Sequence, residues 1–110
     1  MTSNQYIKDS VLDAPKIMQI IKEMILTEHE MFKAACITLK GSAPLQYSWT
    51  RNSEPVLADS NTELTTIENT MSTLTIKSVE SNHSGNYTCN VRNTYGHDQI
   101  SVNLHVKGKP

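Results

Sequence analysis

The cysteines and histidines are the residues of this sequence whose types could carry chemistry. Cys36 and Cys89 lie far apart in the sequence and could pair as a disulfide or remain two buried thiols. Two Cys/His clusters at close spacing are typical of zinc sites. No such spacing occurs among the four histidines, His29, His83, His97 and His105. We therefore predict no metal site.

Catalytic motifs are also missing from the sequence. No Cys/His or Ser/His/Asp set stands in a recognisable context, and no Gly-rich phosphate loop is present. The acidic residues are scattered through turns and strand ends. We therefore predict a protein that is not an enzyme, with no cofactor and no small-molecule substrate.

The composition is typical of a small β domain with a polar surface. The chain has 110 residues, enough for one domain, and 37% of them are hydrophobic. Ser, Thr and Asn are abundant, with 11, 12 and 9 copies. The net charge of −1 argues against a nucleic-acid partner, which would require a basic surplus. No apolar run approaches the roughly 18 residues that a transmembrane helix needs.

The two ends of the sequence differ from its centre. Residues 1–13 show no sustained hydrophobic period, so we expect a flexible N-terminal extension, with Pro15 marking where order begins. We expect one domain over residues 14–107 and a linker stub over residues 108–110. No secretory signal precedes the domain, and its linker-like end suggests a module cut from a longer multidomain protein.

Hydrophobic and polar residues alternate along most of the domain. The period of two is clear over residues 32–38, 45–50, 87–92 and 100–106, and turn-forming residues separate these segments. Residues 17–26 leave two interpretations open, because their apolar positions fit a helix as well as strands. Seven or eight short strands at this spacing predict an all-β, antiparallel two-sheet sandwich.

Inward-facing aromatic residues accompany the two cysteines. Cys36, Trp49 and Cys89 fall on the apolar side of three different strands, and Tyr87 stands two residues before Cys89. This pattern resembles the immunoglobulin sandwich, in its intermediate (I-set) form. The resemblance implies one disulfide between the sheets, Cys36–Cys89, and core landmarks at Trp49, Leu74, Ile76 and Tyr87.

Shorter motifs resemble the arthropod Down syndrome cell adhesion molecule (Dscam) type, including its short chelicerate forms. The motifs are Ala14-Pro15-Lys16-Ile17, Gly41-x-x-Pro44-Leu45-x-x-x-Trp49 and His83-Ser84-Gly85-Asn86-Tyr87-Thr88-Cys89. The resemblance implies an extracellular module, from a single-pass cell-surface protein with possible secreted forms. Such a module recognises an identical copy of itself across an antiparallel two-fold axis.

Two other functions stay open at this point. A heterophilic receptor or immune-recognition domain would bind through loops such as residues 51–63 or 93–98. A structural spacer in a longer ectodomain would need no binding face at all. Free thiols in place of the disulfide would instead be typical of intracellular muscle immunoglobulin domains.

The two outer faces of the predicted sandwich differ in polarity. The face of the third, sixth and seventh immunoglobulin strands is polar and carries the N-glycosylation candidates Asn82 and Asn86, one in a turn and one on a strand. The opposite face carries apolar residues, and exposed apolar clusters mark contact sites. We therefore predict a weak homodimer through that face, with an interface formed by Met31, Lys33, Ala35, Ile37, Thr73, Thr75 and Lys77.

Overall fold

Nine strands are present in the computed structural model, which describes residues 12–19 and 21–108. They are β1 (Lys16–Met18), β2 (Glu23–Thr27), β3 (Phe32–Lys40), β4 (Gln46–Arg51), β5 (Glu54–Pro55), β6 (Thr62–Ile67), β7 (Met71–Ile76), β8 (Gly85–Asn93) and β9 (Gly96–Lys107). A short 3-10 turn spans Ser81–His83. Most of the expected N-terminal extension, residues 1–11, lies outside the described residues, as do the last two residues of the expected linker stub.

The strands form two sheets that pack face to face. One sheet has the order β1-β3-β7-β6 and the other the order β2-β9-β8-β4-β5. All pairs are antiparallel except β2 with β9, which run parallel. The predicted all-β sandwich is confirmed. The described part of the ambiguous segment has strands at its two ends and no helix, because β1 pairs with one sheet and β2 with the other.

Asp13, one residue before the expected start of the domain, is hydrogen-bonded to the fold. The Asp13 carbonyl accepts hydrogen bonds from the Ser42 backbone N–H at 3.0 Å and from the Asn93 side-chain amide at 2.7 Å. The Asp13 N–H donates in turn to Ser42 Oγ at 2.8 Å. Asp13 therefore belongs to the folded domain.

The core lies between the two sheets and contains the landmarks that the sequence predicted. A disulfide joins Cys36 on β3 to Cys89 on β8, with their Cα atoms 6.2 Å apart. Trp49 packs beside it with 5% of its surface exposed, and Phe32 lies 5.3 Å from Tyr87 between ring centroids. The remaining landmarks, Leu74 and Ile76, are fully buried.

The turn that leads into β8 is held by two hydrogen bonds at His83. The Tyr87 hydroxyl donates to the His83 carbonyl oxygen at 2.6 Å, an arrangement called a tyrosine corner in immunoglobulin sandwiches. The Glu80 backbone N–H donates to His83 Nδ1 at 2.8 Å. Together these bonds fix the residues that precede the second cysteine. No helix in the described part of the chain is long and apolar enough to cross a membrane.

Candidate functional site

The predicted interface lies on the outer surface of the sheet β1-β3-β7-β6, which we call the four-strand face. Alternation along β3 places its residues: Phe32 and Cys36 are buried against the other sheet, whereas Lys33 is exposed and Ile37 is half-buried on the outside. Strand pairing then decides which outward side chains of the other three strands become neighbours.

Four apolar side chains form one row across this face. Met18 pairs with Ile37, Ile37 with Met71 and Met71 with Ile67, so one residue from each strand contributes. Met18 is 38% exposed and Ile67 is 55% exposed, while the two central residues are half-buried. At about 4.8 Å between strands, the row extends about 14 Å. We call these four residues the apolar row.

Small and charged side chains follow the apolar row along the strands. The next outward positions are Ala35, Thr73 and Thr65, which form a row of small residues. Beyond them, Lys33 and Glu63 flank Thr75, and Lys77 Nζ lies 3.4 Å from Glu63 Oε2. The face therefore changes from apolar to charged over four residues, from Ile37 to Lys33 on β3 and from Ile67 to Glu63 on β6.

The predicted exposure of Thr75 is wrong, because this residue is only 8% exposed. Its short side chain lies on a central strand between the longer side chains of Lys33 and Glu63, with Lys77 two residues further along. These three neighbours shield it from solvent. Thr75 therefore cannot contribute contact area to a partner unless they move.

The predicted strip along β3 is also interrupted. Met31 is 56% exposed and comes directly before the first residue of β3. The charged Lys33 separates it from Ile37 along the strand. Ala35 is half-buried. Continuous apolar surface therefore runs across the four strands at Ile37 and not along β3.

Three residues of the apolar row, Met18, Met71 and Ile67, are absent from the predicted interface. Ile67 ends β6, a strand in which four of the six residues are β-branched and therefore favour strand structure. Asn69 follows with a φ of 58° and turns the chain directly into β7. A hairpin predicted over these residues would have found the pair, because the register of β6 and β7 places Ile67 beside Met71.

The outer surface of the sheet β2-β9-β8-β4-β5, which we call the polar face, carries mostly polar side chains, and Ile25 on β2, which is 61% exposed, is an apolar exception. Thr88 Oγ1 lies 2.7 Å from Ser101 Oγ, and the Asn90 amide donates to Gln99 Oε1 at 3.2 Å. The two glycosylation candidates are exposed. Asn86 lies on β8 and Asn82 in the 3-10 turn.

The shifted pKa values belong to groups outside the four-strand face. Backbone N–H groups, first of Asn61 and then of Thr62, lower the pKa of Asp59 in the loop before β6. Burial raises the pKa of Tyr87 despite the nearby Arg51. Within the described residues, no group of three His, Cys, Asp or Glu side chains could hold a metal ion.

A family model matches this chain, in agreement with the strand order of its two sheets, the disulfide between them and the tyrosine corner. The immunoglobulin I-set domain model matches residues 15–106. The chain belongs to the immunoglobulin I-set family. I-set domains are typically structural or recognition modules and not enzymes.

Related sequences divide between adhesion molecules and titin-like proteins. The chain is 28% identical to the titin homolog of Caenorhabditis elegans over 95 residues, which cover 86% of this chain and 0% of that protein. It is 27% identical to the cell adhesion molecule Dscam2 of Drosophila melanogaster over 101 residues, covering 92% of this chain and 5% of that one. The I-set domain therefore spans a very small part of these relatives.

Solved structures divide in the same way. An I-band fragment I67-I69 from titin matches with a TM-score of 0.80 and 26% identity, covering 89% of this chain and 34% of the fragment. The Dscam1 Ig7 domain, isoform 9, matches with a TM-score of 0.79 and 26% identity, covering 86% of this chain and 100% of that domain. These two structures share the fold with the chain at the same identity, 26%.

Proposed function

We propose that this domain is an extracellular cell-adhesion module of the Dscam type that binds a second copy of itself through the four-strand face. The observation that carries the proposal is the apolar row. Four aligned apolar side chains, of which Ile67 is 55% exposed, form a surface that association would remove from water. Two of the four are Met residues, whose flexible side chains adapt to a facing surface.

The position of the row limits how an antiparallel pair can form. If the two-fold axis passed along the small row at Ala35, Lys33 of one copy would face Ile37 of the other, and Glu63 would face Ile67. Those contacts would remove charges from water without a partner. An axis along the apolar row avoids this, because each apolar residue then meets the same residue of the second copy. We therefore place the axis along the apolar row.

The charged end of the face would then lie at the border of the dimer. Charges there contribute little to affinity but reject partners whose charges do not match. This arrangement suits recognition among sister isoforms. An interface of four side chains per copy is small, so we expect a dissociation constant in the micromolar range or weaker.

The disulfide supports the extracellular part of the proposal. Disulfides persist in oxidising compartments and are rare in the cytosol. Similarity to adhesion molecules such as Dscam2 points in the same direction. The polar face and its two sequons would remain in solvent, where glycans on Asn82 or Asn86 would not obstruct the pairing.

Sedimentation equilibrium of the domain over a series of concentrations tests self-association. We expect a monomer–dimer equilibrium that weakens by about 1–3 kcal/mol in Ile37→Asp, since a carboxylate would be buried in the row. Leu57→Asp is the matched control, because Leu57 is 80% exposed and lies outside the face. A domain that stays monomeric at several hundred micromolar, roughly the weak end of such contacts, overturns the proposal.

A structural or heterophilic module is the second candidate, and the similarity to a titin fragment favours it. Such a module would need no self-association. The same concentration series distinguishes the two candidates, because a spacer stays monomeric whether or not Ile37 is replaced.

A further inference from the structure

Leu39, near the end of β3, is a large apolar side chain that the sandwich leaves largely in solvent. It is 53% exposed. β1 pairs with the residues on either side of it, Thr38 and Lys40, and skips Leu39 itself. Covering this side chain with another molecule would remove its apolar surface from water, which is favourable.

The side chain of Leu39 lies on the four-strand face. Thr38, the residue before it, points into the sandwich, because its Oγ1 lies 2.7 Å from the hydroxyl of Tyr47 on β4 in the other sheet. Successive side chains of a strand point to opposite faces. Leu39 therefore points outward like Ile37, and it stands on the side of the apolar row that is away from the charged end.

The other side of the apolar row is a depression. Ala35 pairs with Thr73 of β7, and Thr73 pairs with Thr65 of β6. These three side chains are shorter than those of the apolar row on one side and than those of Lys33 and Glu63 on the other. The depression is deepest at Ala35, whose side chain is a single methyl group. The face therefore has a projecting leucine on one side of the row and a depression on the other.

A two-fold axis along the apolar row brings the projection and the depression together. Such an axis places each residue of one copy opposite the residue that lies equally far on the other side of the row. On β3, Leu39 and Ala35 are each two residues from Ile37, about 7 Å along the strand. Leu39 of each copy therefore faces Ala35 of the other, and the contact occurs twice. Large side chains opposite small ones are what allow two packed faces to interdigitate.

The same axis leaves the charge of Lys33 outside this contact. Lys33 is four residues from Ile37, and the position equally far on the other side is Gly41, which follows the end of β3 and has no side chain. The Lys33 ammonium group can therefore stay in water. The pairing covers two leucines without burying an unpaired charge, which would be costly.

We propose that Leu39 and Ala35 form a reciprocal contact across the axis of the dimer and determine which copies of the domain associate. The proposal rests on self-association through the four-strand face. A copy with large side chains at both positions overlaps with itself, and a copy with small side chains at both leaves two cavities. The partner selected by this face is thus a second copy with a small residue at position 35 and a leucine at position 39.

Exchanging the two side chains tests the contact. Ala35→Leu places a leucine against Leu39 of the second copy, and Leu39→Ala leaves a cavity, so we expect the dimer dissociation constant of each variant to rise at least about tenfold. The double variant Ala35→Leu/Leu39→Ala restores one large and one small side chain in each contact and should recover most of the affinity. Sedimentation equilibrium measures the four proteins, and urea denaturation shows whether each is folded.

Mixing the two single variants is a second test. A dimer of one Ala35→Leu copy with one Leu39→Ala copy has a leucine opposite an alanine in both contacts, so the mixture should associate more tightly than either variant alone. Leu57→Ala and Ser48→Leu are the matched controls at exposed positions outside the face, and they should leave the dissociation constant unchanged. Leu39→Ala changes an exposed side chain and should fold even if Ala35→Leu does not. An unchanged dissociation constant in Leu39→Ala overturns the proposal by itself.

The outcomes separate this contact from the self-association on which it rests. If the domain dimerises and Ile37→Asp weakens the dimer, but the double variant is no stronger than the single variants, the four-strand faces pair in another register and the Leu39–Ala35 contact is wrong. If the domain stays monomeric, self-association is wrong, and the contact with it.

Discussion

The indole N–H of Trp49 on β4 donates a hydrogen bond of 2.9 Å to Ser72 Oγ on β7, and this bond joins the two sheets inside the core. Both side chains are buried, Ser72 with 1% of its surface exposed. Thr66 Oγ1 lies 3.1 Å from the same Ser72 oxygen. Ser72 therefore satisfies the polar atom that the buried tryptophan brings into the core.

Replacing Ser72 with Ala should leave the Trp49 indole N–H unpaired in the core. We expect the free energy of unfolding to fall by about 1–3 kcal/mol, the range for a buried donor that loses its partner. Urea denaturation measures the change. Ser48→Ala on the exposed polar face is the matched control, with an expected effect within about 0.5 kcal/mol. Equal losses in the two variants would show that the Trp49–Ser72 bond has no special role.

The sequence pattern predicted the core but not the contacts that depend on register. Alternation alone placed Cys36, Trp49 and Cys89 inside. The neighbours of Thr75 and Ile67 depend on how β6 pairs with β7, and that pairing follows from the turn at Asn69, which a period of two does not reveal.

The crossing of the chain between the sheets could not be predicted for a different reason. β1 ends at Met18 in one sheet, and β2 begins at Glu23 in the other. Residues 17–26 fit a helix and strands equally well by period, so the position of this crossing is not encoded in their pattern. It depends on pairing with β3 and β9, which are distant in sequence.

Tyr87 should make the stability of the domain sensitive to alkaline pH. Burial raises its pKa in the folded state above the ordinary value of 10.0. Below pH 10 the hydroxyl is protonated in both states, so its contribution is fully present. As the pH rises above 10, the unfolded state loses its proton first, and the free energy of unfolding falls until the folded state also ionises.

Tyr87→Phe has no hydroxyl to ionise, so its free energy of unfolding should fall less steeply above pH 10. It also removes the hydrogen bond to the His83 carbonyl, so we expect the variant to be about 1–2 kcal/mol less stable at neutral pH. Urea denaturation between neutral and alkaline pH compares the two proteins. A decline of the same steepness in both would contradict the assignment to Tyr87.

Reduction of the Cys36–Cys89 disulfide should destabilise the domain strongly. The two cysteines are 53 residues apart, and closing a loop of this length contributes about 4 kcal/mol on the chain-entropy model. We expect a large drop in the urea midpoint with a phosphine reductant, and a gain of two hydrogens in intact mass. The Cys36→Ala/Cys89→Ala double variant, which has no thiol, should be as unstable as the reduced protein and insensitive to the reductant.

Production through a secretory pathway should add a glycan at Asn86, Asn82 or both, because both side chains are exposed. Mass spectrometry of Asn86→Gln and Asn82→Gln identifies which site is occupied. Since both sites lie away from the four-strand face, enzymatic removal of the glycans should leave the dimer dissociation constant unchanged. A changed constant would indicate that the polar face takes part in self-association.

Opposite charges at Ile67 test the axis of the proposed dimer. If the axis runs along the apolar row, Ile67 of one copy faces Ile67 of the other, so Ile67→Asp and Ile67→Lys should each weaken self-association by about 1–3 kcal/mol. An equimolar mixture should recover association as a heterodimer, because the two introduced charges then attract. Sedimentation equilibrium of each variant and of the mixture measures this.

The pair Leu57→Asp and Leu57→Lys should associate like the unchanged domain, alone and mixed. If both Ile67 variants are weak but mixing restores nothing, Ile67 does not face itself, and the axis must cross the four-strand face elsewhere.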